Sequence, residues 1–118
     1  MATVFMKWLE TSPKDYDRGI QIITLGRIQK VKKQIAEGYA RAGMHILEIG
    51  CGTGTLTAMM AAKGATVTGI DASFAMLAEA EKKVARKEFK DNVTLEQMDV
   101  SLIGDRFQEG SFDLIVAT

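Results

Sequence analysis

Leu47–Gly54, LEIGCGTG, sets three glycines at alternate positions directly behind a short apolar run that carries a glutamate. The run, MHILEIG from Met44, has the length and composition of a buried strand. Glycines in close succession after such a strand predict a tight turn whose backbone another group can approach closely. Downstream of the turn, TLTAMMAAKG reads as a helix closed by Gly64. ATVTGID is rich in β-branched residues and reads as a second strand.

Beyond Asp71 the pattern repeats. ASFAMLAEAEKKVARKEFK predicts a helix, with Ser73 as its cap and an apolar face of Met76, Leu77, Ala80 and Val84. Its cationic end suits the helix dipole. NVTLEQMDV predicts a third strand and SFDLIVAT a fourth, with residues 101–111 between them reading as loop. Upstream of the turn, Ser12, Pro13 and Asp15 form a helix-start signature. Gly19 breaks or weakens that helix. Leu25, Ile28, Val31, Ile35 and Tyr39 then mark one helical face running to about Arg41, opposite Lys30, Lys32, Lys33 and Glu37, with Gly43 closing it.

A helix followed by alternating strands and helices predicts an α/β fold: a Rossmann-like, doubly wound parallel sheet. Ligands in such sheets bind beyond the carboxyl ends of the strands, where the strand order reverses. The expected organisation is a helical lead-in over 1–43 and a ligand-binding unit over 44–118.

Composition narrows the function. The 118 residues are 47% hydrophobic and 25% charged, with fifteen charges of each sign. That is ordinary for a globular chain and gives no global attraction to nucleic acid or anionic membrane. No apolar run approaches the roughly 20 residues that span a bilayer. The opening MATVFMKWLE lacks the long apolar core of a signal peptide. A single cysteine excludes an internal disulfide and suggests a cytoplasmic location.

Three ligand classes use glycine turns after a strand. The phosphate-cradling loop needs a Gly-Lys-Ser/Thr sequence, which is absent. The dinucleotide fingerprint needs a glycine at residue 55, which is threonine; the third glycine is Gly54. The carboxylates carry more information. Asp71 ends the second strand, 21 residues after Gly50, where it can accept from both ribose hydroxyls of NAD or of S-adenosylmethionine alike. Asp99 ends the third strand, where it can accept from an adenine amine. Glu48 precedes the turn, where it can orient the loop or approach a cationic ligand. Three acids around one pocket repel a pyrophosphate and suit a sulfonium bearing an α-amino group.

LEIGCGTG, GIDAS, QMDV and FDLIVAT, in this order and spacing, resemble the successive motifs of class I S-adenosylmethionine-dependent methyltransferases, in the group that includes the ubiquinone and menaquinone biosynthesis enzymes. The resemblance covers roughly residues 44–118. It implies that the backbone of Gly50, Cys51, Gly52 and Gly54 passes close to the methionine part of the cofactor, near Glu48. It implies that Asp71 holds the ribose, with Ala72 and Met76 near the adenine or ribose. Asp99 would bind the adenine amine, with Val100 on the adenine face. The backbone at Ala117 and Thr118 would meet the cofactor's amino group. Tyr16 and Arg18, on a lid formed by the lead-in, would reach its carboxylate. S-adenosylhomocysteine would be the product and a small molecule the methyl acceptor.

The family's sheet continues past the fourth strand, so the chain reads as the truncated, cofactor-binding half of a methyltransferase. No catalytic residue and no metal site is implied. An open fourth strand would invite self-association through residues 112–118. An NAD-dependent oxidoreductase half-domain and a non-catalytic, self-associating fragment are the alternative readings. Cys51 reads as a small turn residue rather than a nucleophile, and His45 as structural or solvated. The lysines at 30, 32 and 33 read as a solvated face, and Trp8 with Phe5 as packing or part of a lid.

Overall fold

The computed structural model describes residues 21–24, 29–108 and 110–117. Among these residues five strands form one parallel sheet: β1 (Gln21–Thr24), β2 (His45–Ile49), β3 (Thr66–Asp71), β4 (Val93–Gln97) and β5 (Leu114–Ala117), in the spatial order β1-β5-β2-β3-β4. Among the described residues four helices join them: α1 (Gln29–Tyr39), α2 (Thr55–Ala62), α3 (Phe74–Ala85) and the single turn α4 (Ile103–Arg106). Successive strands run outward from β2 through β3 to β4, and the chain then returns to place β5 on the other side of β2. The order therefore reverses between β2 and β5, which sets the crevice for a ligand beside the turn after β2.

β2 explains why its sequence reads as an apolar run rather than an alternating one. Ile46 belongs to one core cluster, with Ala36, Ala40, Leu56, Met60, Val67 and Val116. Leu47 and Ile49 belong to a second, with Ile70, Ile103, Ile115 and Ala117. Alternate side chains of a strand face opposite ways, so both faces of β2 are buried. Glu48 shares the face of Ile46 and points into the helical layer.

α2 is buried through Leu56, Thr57, Met60 and Ala61. Full burial of Leu56 and Met60 is worth about 2–3 kcal/mol each. α3 behaves as its pattern predicts over most of its length. The Ser73 hydroxyl accepts from the Met76 N–H at 3.3 Å, and Leu77, Ala80 and Val84 face inward. Met76 does not join that face; it is exposed. The helix also stops at Ala85 rather than running on to Lys90. Phe89 is partly buried against the first core cluster, and the chain turns back there into a 3-10 turn at Lys90–Asn92 and then β4.

The lead-in departs from a continuous helix. Gln21–Thr24 is a strand, paired in parallel with Leu114–Ala117, and α1 begins only at Gln29. Ala36 of α1 and Ala40 just past its end face inward, with Ile35 partly buried, whereas Tyr39 is exposed. Small residues allow the close approach that a tyrosine would prevent. The helix start at Ser12, together with Leu25 and Ile28, lies outside the described residues.

The β1 pairing also corrects the expected open edge. β5, the fourth strand of the sequence reading, is paired with β2 on one side and β1 on the other, and its four residues are buried. Leu114–Ala117 is therefore not an open edge, and its availability to a second copy falls with it. Residues 101–111 are not simply loop: a 3-10 turn at Val100–Leu102 leads into α4, anchored by the buried Ile103. No helix among the described residues is long and apolar enough to cross a membrane.

Candidate cofactor site

The turn after β2 is held by its neighbours. The N–H groups of Gly50 and Cys51 donate to the Ile70 carbonyl at 2.8 and 3.0 Å, and Gly54 N–H donates to the Cys51 carbonyl at 3.0 Å. Gly50, Gly52 and Gly54 have φ of 73°, 57° and 84°, the left-handed region that disfavours a side chain. The glycines nevertheless serve different ends. A Cβ at Gly54 would lie 2.9 Å from the Ala80 Cβ, so this glycine lets α2 and α3 pack. A Cβ at Gly52 would meet nothing nearer than the Gly50 carbonyl oxygen at 4.0 Å. The space over Gly52 is an open cradle that a side chain would fill.

Asp71 joins the turn to the second strand. Its Oδ2 accepts from Gly52 N–H at 2.9 Å and its Oδ1 from Ser73 N–H at 2.8 Å. A carboxylate offers about four acceptor positions, so both oxygens keep capacity for a further donor. Met98 N–H donates to the Asp71 carbonyl at 3.0 Å, and the Gln97 side-chain amide donates to the Ala72 carbonyl at 3.2 Å. These bonds bring the ends of β3 and β4 together.

Beside them opens a cleft of about 930 Å³. Ala72, Met98 and Leu102 give it apolar walls; Asp99 and the Glu96–Arg106 ion pair, 2.6 Å apart, give it a charged rim. Asp99 lies two residues past β4 and caps the following 3-10 turn, accepting from Ser101 N–H at 2.8 Å. The hydrogen bonds from Ser101 hold its carboxyl below the usual carboxylate range. It is an anion at neutral pH and a ready acceptor for an amine.

Glu48 lies behind the turn and is 1% exposed. The Thr57 hydroxyl of α2 donates to its Oε1. Burial pushes the carboxyl up to about 7, against the opposing influence of that hydroxyl and of Lys32 on α1; the Asp71 charge pushes the same way as burial. Cys51 is buried too, and burial together with the Glu48 and Asp71 charges pushes its thiol up to about 12. It is inert at neutral pH, in line with a turn residue.

The structure therefore gathers Gly50, Gly52, Asp71, Ala72 and Asp99 along the carboxyl ends of β2, β3 and β4. Glu48, Cys51 and Gly54 are behind that surface rather than on it. Val100 packs against the second core cluster, and Met76 is exposed on the first turn of α3; neither lines the cleft. Ala117 is buried at the end of β5. Tyr16, Arg18 and Thr118 lie outside the described residues. Met98, Leu102, Glu96 and Arg106 were not legible as site residues. Their signal was the short helical pattern after Asp99, hidden because residues 101–111 read as loop.

The fold and site define a Rossmann-like α/β domain built to hold a nucleotide-bearing ligand at the carboxyl edge of its sheet. The chain belongs to the methyltransferase domain family, whose model matches residues 46–118. It is 37% identical over 87 residues to a demethylmenaquinone methyltransferase of Symbiobacterium thermophilum, an alignment covering 70% of this chain and 35% of that protein. It is 38% identical over 81 residues to a ubiquinone biosynthesis O-methyltransferase of Pseudomonas fluorescens, covering 69% of this chain and 34% of that protein. The chain thus spans about a third of the length of these two relatives. Its fold is similar to that of an S-adenosylmethionine-dependent methyltransferase from Thiobacillus denitrificans, solved with S-adenosyl-L-homocysteine. The TM-score is 0.63 at 18% identity, over 77% of this chain and 36% of that one.

Proposed function

We propose that this chain forms the S-adenosylmethionine-binding part of a methyltransferase that methylates a small molecule. The observation that carries the reading is the Asp71 carboxylate, bonded to Gly52 N–H beside the open cradle over that glycine. A ribose resting there would meet an acceptor already fixed in place. Adenine would lie in the adjoining cleft, between apolar Ala72, Met98 and Leu102, with the anionic Asp99 to accept from its amine. Bound there, the cofactor supplies a methyl group activated by its sulfonium. The residues of this chain orient it and exclude water, and alignment of the acceptor provides the rest of the catalysis.

The family membership supports this reading over an NAD-dependent oxidoreductase. So does the acid-lined site, which disfavours a pyrophosphate. The names of the two relatives make quinone-type rings the first acceptor class to test. A cytoplasmic location and the absence of a nucleic-acid partner are part of the proposal and rest on composition. Self-association through the strand is not part of it, because β1 pairs with Leu114–Ala117.

Calorimetric titration of the chain with S-adenosylhomocysteine tests the proposal, with Asp71→Ala alongside. Saturable binding is expected, weakened at least tenfold in the variant, which loses the acceptor for Gly52 and for the ribose (about 1.4 kcal/mol or more). A folded chain that binds neither S-adenosylhomocysteine nor S-adenosylmethionine overturns it.

A further inference from the structure

Glu48 is an uncommon residue to find in the middle of a core. It occupies a central strand of the sheet, 1% exposed, among Ile46, Val116 and the first turns of α2. Its Oε1 accepts from Thr57, and among the described residues no hydrogen bond reaches Oε2. A buried carboxyl with a single donor is held between its charged and neutral forms. The groups that face it can be named element by element. α1 contributes Lys32, which favours the charged form through space, since among the described residues the ion pairs are Lys82–Glu79 and Arg106–Glu96. β3 contributes Asp71, which opposes it, and the turn contributes the neutral thiol of Cys51. α2 contributes only the Thr57 hydroxyl, and β5 contributes no titratable group.

Its position gives that balance a consequence. Glu48 lies two residues before Gly50, and its bond to Thr57 closes the strand-turn-helix segment that forms the cradle. Any charge seated on the turn acts on Glu48 through the protein interior, where water screens poorly. The two forms of the proposed cofactor differ there by one charge. The methyl donor carries a sulfonium; after the methyl group leaves and the C–S bonding pair stays on sulfur, the product carries a neutral thioether.

We infer that Glu48 is a proton-exchanging positioning residue behind the glycine turn, whose ionised form favours the sulfonium cofactor over its thioether product. The inference rests on the reading of this site as an S-adenosylmethionine pocket. Its sense is fixed by charge. Below neutrality Glu48 is largely neutral and discriminates little. Above neutrality the carboxylate attracts the sulfonium and has no such attraction for the thioether. Binding of the methyl donor near neutrality therefore expels a proton, and binding of the product does so less.

The test is the ratio of dissociation constants for S-adenosylhomocysteine and S-adenosylmethionine, measured by calorimetry across the neutral range in buffers of different ionisation enthalpy. Between about pH 6 and about pH 8 the ratio should rise about three- to tenfold, with more proton release for the methyl donor. Taking a ratio cancels groups that titrate alike with both ligands, such as their α-amino groups. In Glu48→Gln the ratio should stay at its acid value. In Thr57→Val, which removes the donor that favours the charged form, the midpoint should move to higher pH. A flat ratio in the unaltered chain, or the same rise in Glu48→Gln, overturns the inference. Should Glu48→Gln fail to fold, an unmoved midpoint in Thr57→Val overturns it. These failures leave the cofactor assignment intact; absence of binding by both ligands at every pH overturns the assignment and the inference together.

Discussion

Glu48 also leaves a mark on stability, without any ligand. An unfolded glutamate gives up its proton near 4.5, whereas the buried carboxyl holds it to about 7. Between those values the folded chain binds the extra proton, so the stabilisation from this group is complete below about 4.5 and is lost as pH rises through about 7. The loss is about 3 kcal/mol. Denaturant unfolding of the unaltered chain and of Glu48→Gln should therefore diverge with pH, the variant gaining relative stability toward alkaline conditions. A constant difference would mean that Glu48 keeps one charge state throughout. The glycines give a second contrast at this scale. Gly54→Ala combines an unfavourable φ with a Cβ 2.9 Å from the Ala80 Cβ, and should cost about 3 kcal/mol in thermal or denaturant unfolding. Gly52→Ala has open space and should cost only about 1 kcal/mol of stability. It should nevertheless weaken S-adenosylhomocysteine binding by about tenfold or more, because the new methyl group occupies the cradle. If the two variants lose stability equally, the division of labour between these glycines is wrong.

At the scale of elements, α3 links the two halves of the site. Its N-terminal cap follows Asp71 and Ala72, and its inward face meets α2 at Gly54 and Ala80. Lys83 of α3 reaches back to the Thr55 hydroxyl of α2 at 2.9 Å. Ser73→Ala removes the acceptor for Met76 N–H and should cost about 1 kcal/mol, read as a melting temperature lowered by a few degrees. Cofactor affinity should change little, because the Ser73 N–H bond to Asp71 comes from the backbone and survives the substitution. A large loss of affinity would show that the cap positions Asp71 as well as the helix. The cap was legible because Ser73 stands directly before an apolar face with helical spacing. The end of α3 was not, since helix-favouring residues continue to Lys90, whereas the helix ends at Ala85 and Phe89 packs partly buried against the core.

At the scale of the whole molecule, the described residues form a five-stranded sheet in which β5 is an interior strand only because β1 lies beside it. β1 has four residues and, among the described residues, pairs with β5 alone. Removing residues 1–24 would leave Leu114–Ala117, all four buried in the intact chain, as an unprotected apolar edge. The expected result is a rise in mass by light scattering relative to the intact chain at the same concentration. An unchanged mass would show that β1 does not guard this edge. β4, at the opposite side of the sheet, is better defended: its Glu96 is paired with Arg106 and its residues are partly exposed and mixed in polarity.

The sequence by itself determined the alternation of strands and helices, the turn after β2, the cap of α3 and the acids at the strand ends. Each of these is written in residues a few positions apart, where periodicity and turn chemistry act. Tertiary structure decided the rest. It set Gly54 against Ala80 rather than against a ligand, and kept Val100 off the cleft that Met98 and Leu102 line. It made Gln21–Thr24 a strand, because a partner was available more than ninety residues away at Leu114–Ala117. It also put Glu48 out of reach of water. A carboxyl group's charge depends on what surrounds it in space, and no neighbour in the sequence of Glu48 reveals that Thr57, Lys32 and Asp71 would supply those surroundings.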